Sequence, residues 1–403
     1  MLEHLQSKED SPYTKPEAGK LSLFVFIDAF GWELARKYSF LDEILTVKRP
    51  LGTIFGYSST CDPTILTGKL PREHGHFSFF YHNPAASPFG ICKLLRFLPR
   101  SITRRGRVRR VMSRIIRRYY GYTGYFQIYN MPFRYLPLFD YSEKRDIYQK
   151  GGINGGCPTI FDYLREHSIP FYLSDWRASE EWNLNALSQS LEKGTIQFAY
   201  LYLAAMDAVL HEFGSNSEHV VKKLQWYEKQ LRTILAQARQ HYSAVNLYIF
   251  SDHGMTDTIG TVDLMSRIGA LDLKFGVDFN AVYDSTMARF WFFTDQARER
   301  IREALQSEPR GQILTADKLA EYGCDFPDTK YGELFFLLDP GQLLCPSFMG
   351  ETSLAGMHGY DPGHKDSTAL FASNVTTDPT PKRLDDLYAL MLSAARGMTG
   401  AVK

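Results

Sequence analysis

The sequence predicts an α/β fold built on an open sheet. Short apolar runs typical of buried strands alternate with longer stretches whose apolar residues follow helical spacing. Acidic and histidine side chains recur beside these apolar runs. In open α/β sheets, ligands bind at the edge formed by the ends of the strands. The pattern therefore predicts both a fold class and the edge of the sheet at which a functional site lies.

Four predicted strands have acidic or histidine residues near this edge. The chain contains no internal repeat. Three of the strands are followed by such residues, and the last strand is preceded by one. The combinations are residues 22–28 with Asp28, residues 196–203 with Asp207 and His211, residues 245–250 with Asp252 and His253, and residues 368–372 with His358. Asp207 and His211 are spaced i and i+4, so a helical turn brings both to one side.

Size and composition favour a folded protein. The chain has 403 residues, with 44% hydrophobic and 14% aromatic residues, which is enough for a large core and argues against disorder. Lys plus Arg is 46 against 45 Asp plus Glu, so the net charge does not indicate a partner. Five scattered cysteines are typical of reduced thiols. Residues 1–20 form a polar tail with no signal-peptide core, and no run is long enough to span a membrane, so we expect a cytoplasmic protein.

The stretch from Gly56 to Gly68 is a candidate anion site. Ser58, Ser59 and Thr60 come just before a segment that can be helical, with Pro63 in its first turn and Gly68 near its end. Unpaired N–H groups at a helix N-terminus favour a phosphate. Hydroxyl residues at such a place are more often N-caps than nucleophiles, so this stretch does not establish a function by itself.

The segment from residue 93 to residue 118 is strongly basic. It contains eleven Lys and Arg residues and no Asp or Glu. Val108, Val111, Met112 and Ile115 have helical spacing, which leaves arginines on the other faces. Such a helix can contact an anionic membrane, cover a polyanionic substrate or simply pack on the core. No nucleic-acid-binding motif accompanies the charge, so we expect no nucleic acid partner.

Two stretches have the composition of caps inserted into the main domain, which covers residues 21–403. Residues 76–150 are basic and rich in aromatic residues, and paired glycines near residue 155 mark the return to the domain. Residues 261–345 contain strand-like runs at 288–293 and 334–338 and a helix near residues 296–306. Further helices are predicted at residues 159–167, 183–193, 218–242 and 383–396, and a short strand at 171–173.

Taken together, the motifs resemble the alkaline phosphatase superfamily, and most closely its type I phosphodiesterase/nucleotide pyrophosphatase branch. The matching pieces occur in the family's order and span residues 22 to about 372. They are Phe26-Ile27-Asp28-Ala29-Phe30-Gly31, Thr67-Gly68 with His74-Gly75, Asp207 with His211, Ser251-Asp252-His253-Gly254-Met255, and His358-Gly359-Tyr360-Asp361. The resemblance implies a three-layer sandwich with a mostly parallel central sheet, helices on both faces and inserted cap segments.

The resemblance also implies a reaction and the residues that perform it. One divalent ion would be held by Asp207, His211 and His358, and the other by Asp28, Asp252, His253 and Ser58. Zn²⁺ suits such a set of oxygen and nitrogen ligands, and Mn²⁺ is the alternative. Counting back from Thr67-Gly68 places the family's metal-activated nucleophile on Ser58, with Ser59 and Thr60 as alternatives. The expected intermediate is a phosphoserine.

The sequence departs from the family pattern where the phosphoryl oxygen is bound. The nucleotide pyrophosphatases carry an Asn shortly after the His-Gly pair, and the matching place here is near Phe79. Asn83 or His76 are substitutes for it. His364 and Lys365 follow the His358 motif and are candidate substrate contacts or simply loop residues. We therefore expect an anionic phosphate-ester substrate without assigning nucleotide specificity.

Three hypotheses for the function follow. The first is a two-metal phosphodiesterase of the nucleotide pyrophosphatase type. The second keeps the metals but changes the reaction to phosphomonoester or phosphonate hydrolysis, or to head-group transfer, on a lipid-linked or polyanionic substrate. A sulfatase is disfavoured because Cys61-Asp62-Pro63-Thr64-Ile65 lacks the Arg of the sulfatase motif. The third is a membrane-associated scaffold without activity, against which the complete set of six candidate ligands argues.

Overall fold

The structure is a computed structural model that describes residues 19–95, 99, 103 and 105–399. The predicted tail of residues 1–20 falls almost wholly outside the described residues, and the first strand already begins at Lys20. The strands are β1 Lys20–Ile27, β2 Val47–Leu51, β3 Phe80–His82, β4 Phe139–Tyr141, β5 Phe171–Leu173, β6 Phe198–Leu203, β7 Ala244–Phe250, β8 Thr256–Asp257, β9 Gly260–Val262, β10 Phe279–Tyr283, β11 Met287–Phe292, β12 Gly311–Ile313, β13 Leu334–Leu338, β14 Gln342–Leu344, β15 Gly356–Met357 and β16 Ala369–Ser373.

The helices account for most of the remaining regular structure of the described part. They are α1 Trp32–Lys37, α2 Ser58–Thr67, α3 Pro71–His74, α4 Cys92–Leu95, α5 Gly106–Tyr120, α6 Ile160–Glu166, α7 Glu180–Glu192, α8 Ala205–Phe213, α9 Glu218–His241, α10 Leu264–Gly269, α11 Asp295–Gln306, α12 Ala316–Glu321 and α13 Asp386–Thr399. None of the described helices has both the length and the apolar character that crossing a membrane requires.

The central sheet has six strands in the order β2-β16-β7-β1-β6-β5. Strand β1 pairs in parallel with both β6 and β7, and β5 pairs in parallel with β6. Both faces of β1 are apolar, as expected for a strand covered on both sides: Leu23 and Val25 lie in one hydrophobic cluster, and Phe24 and Phe26 lie in another. The mostly parallel sheet expected from the sequence is confirmed.

Helices cover both faces of this sheet, which confirms the three-layer sandwich. The cluster on one face joins β1 to residues of α1, α7, α8 and α9. The cluster on the other face joins it to residues of α2, α6 and α13. Helix α9 packs seven buried residues onto the sheet and exposes its polar side to solvent, as the amphipathic pattern of residues 218–242 predicts.

Strand β16 is the one antiparallel member of the central sheet among the described strands. It lies between β2 and β7 and runs antiparallel to both. Its N-terminal end therefore lies at the same edge as the C-terminal ends of the parallel strands. This reversal explains why His358, which comes before its strand, reaches the edge that Asp28 and Asp252 reach from strands that they follow.

The two predicted cap segments contribute to one hydrophobic cluster. Residues 261–345 contribute a four-stranded antiparallel sheet in the order β10-β11-β13-β12, and residues 76–150 contribute the antiparallel strand pair β3–β4 with α4 and α5. Phe80, Phe126 and Ile116 pack in the same cluster as Trp291 and Phe336. The exact boundaries of the two insertions stay predictions.

A buried arginine links these cap elements. Arg289 on β11 is fully buried, and its Nε donates to Oδ2 of Asp284 at 2.9 Å. Its two terminal nitrogens donate to the carbonyls of Tyr331 and Phe80 and to Oγ of Ser78. Because the Arg289 guanidinium is buried, it depends on these partners from both cap segments, and the network holds the two segments in one arrangement.

Helix α5 confirms the predicted basic helix but orients it differently. Val108 and Met112 pack inward beside the buried Ile116, whereas Val111 and Ile115 are 51% and 49% exposed. The inward face also takes Arg109, which donates to the carbonyls of Tyr129 and Met131. The predicted single apolar face was therefore wrong, because a buried arginine occupies part of the inward side and leaves two apolar residues outside.

Candidate metal centre

The register of the central sheet brings two aspartates together. Phe26 on β1 lies opposite Phe250 on β7, so Asp28 and Asp252, each two residues further, leave the sheet at the same level. His253 follows directly. One ligand atom from each of Asp28, Asp252 and His253 lies within 4.8 Å of the others, and all three residues are buried. These residues, with Ser58 beside them, form the first candidate metal site.

The distances in the first site suit ligands of a common ion. Nε2 of His253 lies 3.0 Å from Oδ2 of Asp252, 3.9 Å from Oδ1 of Asp28 and 3.2 Å from Oγ of Ser58. Two ligands about 2.0 Å from a tetrahedral zinc ion are themselves about 3.3 Å apart. Nδ1 of His253 lies 2.9 Å from the carbonyl of Gly254, which assigns the ring proton to Nδ1 and leaves Nε2 free to coordinate.

In each aspartate of the first site, one carboxylate oxygen accepts hydrogen bonds and the other has no hydrogen-bond partner among the described residues. Oδ2 of Asp28 accepts from the Tyr202 hydroxyl at 2.6 Å, and Oδ1 of Asp252 accepts from the backbone N–H groups of Ala29 and His253 at 3.1 and 3.0 Å. Oδ1 of Asp28 and Oδ2 of Asp252 are buried and have no hydrogen-bond partner within the described residues. Buried oxygens left bare in this way fit a cation.

Asp207, His211 and His358 gather next to this group. Oδ1 of Asp207 lies 3.2 Å from Nε2 of His211 and 3.6 Å from Nε2 of His358, and it has no hydrogen bond within the described residues. Nδ1 of His211 donates to the carbonyl of Gly356 at 2.8 Å, which again turns Nε2 toward the site. The His358 ring stacks on the ring of His253. One ligand atom from each of Asp207, His253 and His358 lies within 4.8 Å of the other two, so these three residues could also share an ion.

The electrostatics of the two groups favour bound cations. Burial, together with the charges of Asp252, Asp207 and Asp62, raises the pKa of Asp28 well above its ordinary value. Burial, together with His253 and His211, lowers the pKa of His358 and keeps its ring neutral. Divalent ions would relieve the repulsion between the carboxylates, and they require neutral imidazole ligands.

The three consecutive hydroxyl residues differ in what they face. Oγ of Ser58 points to the first site, 3.2 Å from His253. The hydroxyls of Ser59 and Thr60 both donate to the carbonyl of Phe77, on the other side of the helix, and both residues are buried. Of the three candidates, Ser58 is therefore the hydroxyl that lies among the candidate ligands.

Helix α2 begins with these hydroxyl residues rather than after them. Tyr57 is the N-cap, and its carbonyl accepts from the N–H groups of Thr60 and Cys61. Pro63 is the sixth helical residue, so the expectation that it lies in the first turn was wrong. Gly68 ends the helix in the left-handed region with φ 65°, as glycine readily does. Cys61 is buried in the core, as expected of a packing residue.

Two glycines of the matched motifs allow the strand ends to approach each other. A Cβ on Gly31 would lie 2.4 Å from Cα of Gly254, and a Cβ on Gly254 would lie 2.2 Å from the carbonyl oxygen of Asp366. The sequence suggests that Gly254 permits a sharp turn, but its φ is not in the left-handed region. It is needed for space, because the loops after β1 and β7 and the loop before β16 pack backbone against backbone.

The candidate ligands open onto a cavity of about 550 Å³. Phe79 lines this cavity with Tyr125, Tyr129 and Trp176. Phe79 stacks on Tyr129 with ring centroids 5.4 Å apart, so it contributes an apolar wall where the family has an amide.

The structure does not bring the other proposed substrate contacts into this cavity. His364 lines a separate cleft, where Nδ1 accepts from the N–H of Asp366, and Lys365 lies in the same cleft. Asn83 follows β3 and is not among the lining residues, and His76 is buried with Nε2 accepting from the N–H of Asn154. Proximity in the sequence was misleading for His364, because the chain turns away after His358.

The sequence analysis missed several residues of the site. Tyr202, which holds Asp28, lies opposite Phe26 and therefore on the face of the sheet from which Asp28 projects. Only knowledge of the strand pairing would have identified it. Asp62 lies one helical turn after Ser58, and that spacing was a usable signal. Glu143 and Tyr148 line the cavity from the cap, and no pattern in the sequence marks them.

Comparisons with known proteins agree with this geometry. The family model for type I phosphodiesterase/nucleotide pyrophosphatase matches residues 22–361. Among curated relatives, a venom phosphodiesterase of Naja atra is 30% identical over 131 residues, which cover 29% of this chain and 15% of the relative. Venom phosphodiesterase 2 of Crotalus adamanteus is 31% identical over 107 residues, covering 26% of this chain and 12% of the relative. The matched stretch is thus a small part of those longer proteins.

Solved structures share the whole fold. Murine ectonucleotide pyrophosphatase/phosphodiesterase 5 superposes with a TM-score of 0.67 at 15% identity, covering 93% of this chain and 95% of the other. An inactive form of that protein in complex with AMP gives a TM-score of 0.66 at 15% identity, with 94% and 95% coverage. The family model covers most of the chain, and the fold agrees over its length. The chain therefore belongs to the type I phosphodiesterase/nucleotide pyrophosphatase family.

Proposed function

We propose that this protein is a two-metal phosphodiesterase that uses Ser58 as its nucleophile. The observation that carries the proposal is the convergence of bare carboxylate oxygens and imidazole nitrogens from distant parts of the chain around the Ser58 hydroxyl. In this proposal, Asp28, Asp252, His253 and Ser58 hold one ion. The ligands of the other are Asp207, His211 and His358.

Zn²⁺ is the ion that this mixed set of carboxylates and imidazoles suits best, with Mn²⁺ as the alternative. When bound, two divalent cations neutralise charge on the phosphoryl oxygens and lower the pKa of the nucleophile. Ser58 is the first residue of α2, so its N–H and that of Ser59 lie at the end of the helix that stabilises negative charge. These groups assist in binding the phosphoryl oxygens.

The reaction proceeds in two displacements. Oγ of Ser58 loses its proton and forms a bond to phosphorus, while the bond between phosphorus and the departing ester oxygen breaks. The product of this step is a phosphoserine that keeps the second ester group. Water then attacks the phosphorus in line with Oγ, which releases the phosphate monoester and restores the Ser58 hydroxyl.

A diester fits the cavity better than a monoester. The site opens into about 550 Å³ of space whose walls include Phe79, Tyr125, Tyr129 and Trp176. A phosphate monoester brings one organic group to this space, whereas a diester brings two and can bury more apolar surface against the aromatic wall. We therefore place phosphodiester hydrolysis ahead of phosphomonoester or phosphonate hydrolysis and of head-group transfer.

An activity panel tests the proposal. Purified protein supplied with Zn²⁺ or Mn²⁺ is assayed on bis(p-nitrophenyl) phosphate, p-nitrophenyl phosphate and p-nitrophenyl sulfate. We expect the diester to be cleaved with a kcat/KM at least about tenfold above that of the monoester, because the diester has a second aryl group for the aromatic wall to bind. The sulfate ester should be inert. Protein that binds the metals but cleaves none of the three would contradict the proposal.

We also propose that the outer side of α5 contacts an anionic membrane. Arg107, Arg110, Arg114, Arg117 and Arg118 are exposed, and none of them forms an ion pair with a described residue. The exposed Val111, Ile115 and Tyr119 form an apolar stripe at i, i+4 and i+8 between them. Arginines beside an exposed apolar stripe are typical of a helix that lies in a membrane interface.

Part of the basic segment predicted between residues 93 and 118 lies outside the described residues. The cytoplasmic location also stays a prediction.

Replacing Arg110, Arg114 and Arg117 by Gln should weaken binding to vesicles that contain phosphatidylglycerol. Each arginine near an anionic surface contributes about 1 kcal/mol, so the triple variant should bind about 100-fold more weakly. Sedimentation with vesicles measures the change, and hydrolysis of bis(p-nitrophenyl) phosphate should be unaffected.

The control removes the same charge elsewhere. Lys229, Arg239 and Arg302 are exposed on α9 and α11, and replacing them by Gln should leave vesicle binding nearly unchanged. An equal loss in both triple variants would show that overall charge, not the α5 surface, is responsible. Loss of diester hydrolysis in the α5 variant would make that helix a structural element.

A further inference from the structure

The cavity holds acidic groups that the proposed ions do not use. Asp62 on α2 and Glu143 on the cap both line it, and neither forms a hydrogen bond or an ion pair within the described residues. Oδ1 of Asp62 is buried without a partner, and Glu143 is only 8% exposed. The hydroxyl of Tyr148, in the same cavity, is also buried without a partner. We call these three side chains the acidic chamber.

All three members of the acidic chamber line the same cavity. Burial raises the pKa of Asp62, and the charges of Asp252 and Glu143 raise it further. Burial and the charge of Asp62 raise the pKa of Tyr148. Burial and the nearby Asp146 raise the pKa of Glu143 to about 8. The two carboxyl groups and the phenol thus line one cavity, and neither carboxyl group forms an ion pair with a described residue.

Apart from the candidate metal ligands, the other charged groups of the cavity already have an ion-pair or hydrogen-bond partner. Asp146 is paired with Arg177 at 3.0 Å and accepts from the N–H of Tyr148, and Asp284 is paired with Arg289. Arg145 is exposed, and its guanidinium donates to the carbonyl of Gly151. Apart from the candidate metal ligands, Asp62 and Glu143 are therefore the carboxyl groups of the cavity that have no ion-pair partner among the described residues.

A third metal ion does not suit the chamber. No set of three His, Cys, Asp or Glu ligand atoms within 4.8 Å of one another includes Asp62 or Glu143 among the described residues. Hard cations such as Ca²⁺ and Mg²⁺ take at least six oxygen ligands. An organic ammonium group needs fewer partners: its three N–H donors match two carboxylates and one hydroxyl.

The aromatic wall supports the same ligand. Phe79, Tyr125 and Trp176 form a continuous series of rings, with centroids 5.4 Å apart for the first pair and 6.2 Å for the second. Arg177 covers one face of Trp176, with its guanidinium carbon 4.2 Å from the ring centroid. Ring faces attract a cation, and a wall made of rings and carboxylates repels a further phosphate.

From this geometry we infer that the acidic chamber binds a primary ammonium group carried by the phosphodiester substrate, a proposal that rests on the phosphodiesterase function above. Asp62 lies one turn of α2 from Ser58, and residues spaced i and i+4 on a helix have Cβ atoms about 5–6 Å apart. In an aminoethyl ester, the four-bond path from phosphorus through oxygen and two carbons to nitrogen spans a similar distance when it is extended. The substrate class is thus a phosphodiester of a 2-aminoethanol type of alcohol.

Matched substrates test the inference. The p-nitrophenyl phosphodiesters of 2-aminoethanol and of propanol have nearly the same shape and differ in charge and hydrogen bonding. We expect the metal-loaded protein to cleave the aminoethyl ester with a kcat/KM about 100-fold above that of the propyl ester, because a site with buried hydrogen-bonding groups discriminates strongly against an analogue that leaves them unpaired. A ratio near one would overturn the inference.

Variants assign the selectivity to the chamber. Glu143→Gln and Asp62→Asn should each lower the ratio of the two kcat/KM values about tenfold, since each removes one carboxyl group whose ionised form the bound ammonium group favours. Glu181→Gln removes the same charge from an exposed position of α7 and should leave the ratio unchanged. Metal content and the thermal unfolding midpoint show whether each variant is folded. An unchanged ratio in folded Glu143→Gln and Asp62→Asn protein would contradict the inference.

A quaternary ammonium ester separates hydrogen bonding from charge alone. The corresponding choline ester has the charge but no N–H donor, so it should be a poorer substrate than the aminoethyl ester; the reverse order would overturn the assignment of a primary amine. If the propyl ester is cleaved and the ratio is near one, only the chamber inference fails. If neither alkyl ester nor bis(p-nitrophenyl) phosphate is cleaved by metal-loaded protein, the proposed function fails with it.

Discussion

Replacing Ser58 by Ala should abolish turnover while leaving the protein folded and able to bind metal. Loss of a catalytic nucleophile typically lowers kcat by at least about 10³-fold, and often much more. Oγ of Ser58 lies 3.2 Å from His253 and opens onto the cavity, and no neighbouring hydroxyl faces the same way. Steady-state hydrolysis of bis(p-nitrophenyl) phosphate measures the loss, and metal analysis should still find two ions per chain.

The neighbouring hydroxyls provide the controls for this prediction. Ser59→Ala and Thr60→Val each remove a hydrogen bond to the carbonyl of Phe77, so they should lower the free energy of unfolding by about 1 kcal/mol. Their kcat should stay within a few-fold of the parent value. Full activity of Ser58→Ala protein, together with loss of activity in one of the other variants, would transfer the role of nucleophile to that residue.

Removing the metals should abolish activity and destabilise the protein as well. Without cations, the bare oxygens of Asp28, Asp207 and Asp252 face one another in a buried space. An ion present at a thousand times its dissociation constant stabilises the folded state by about 4 kcal/mol, so chelation should lower the unfolding midpoint clearly. Thermal unfolding before and after treatment with dipicolinate measures the effect, and adding Zn²⁺ or Mn²⁺ should restore both stability and turnover.

The stabilisation by metal should shrink as the pH falls. The pKa of Asp28 is raised in the folded protein without metal, so protonation relieves the repulsion there, and the stability of the metal-free form increases as the pH falls from the folded pKa toward the unfolded value. The same protonation competes with metal binding. The difference in unfolding midpoint between loaded and chelated protein should therefore decrease at lower pH. Chelated protein that keeps its activity and its midpoint at neutral pH would contradict the two-metal proposal.

The central sheet could be predicted because its strands are covered on both faces. Residues 20–27, 198–203 and 244–250 are mostly apolar, and the predicted strands agree with them within two residues at each end. The cap sheet was predicted only in part. Strands β11 and β13 were recognised from their apolar runs, whereas β10 and the three-residue β12 were not. Short strands give too little pattern to be distinguished from loops.

The candidate site could be predicted to the extent that its residues follow strand ends. Asp28, Asp252 and His253 come directly after apolar runs, and the resemblance to a family assigned their roles. The groups that position or surround them could not be found in this way. The position of Tyr202 depends on the pairing of two strands. The position of Glu143 depends on how a cap that is distant in sequence from Asp28 and Asp252 folds back over the sheet. Tertiary contacts of this kind leave no periodic pattern in the sequence.

The reversed last strand has a consequence for the growing chain. Within the described sheet, β2 joins its neighbours only through β16, so residues 47–51 have no place in the sheet until residues 369–373 have been synthesised. His358 belongs to the same late segment. A fragment still bound to the ribosome therefore lacks the complete six-stranded sheet until β16 has emerged, and it lacks the full set of candidate ligands until His358 has emerged. In the proposed mechanism, such an unfinished chain could not act on the phosphate esters around it.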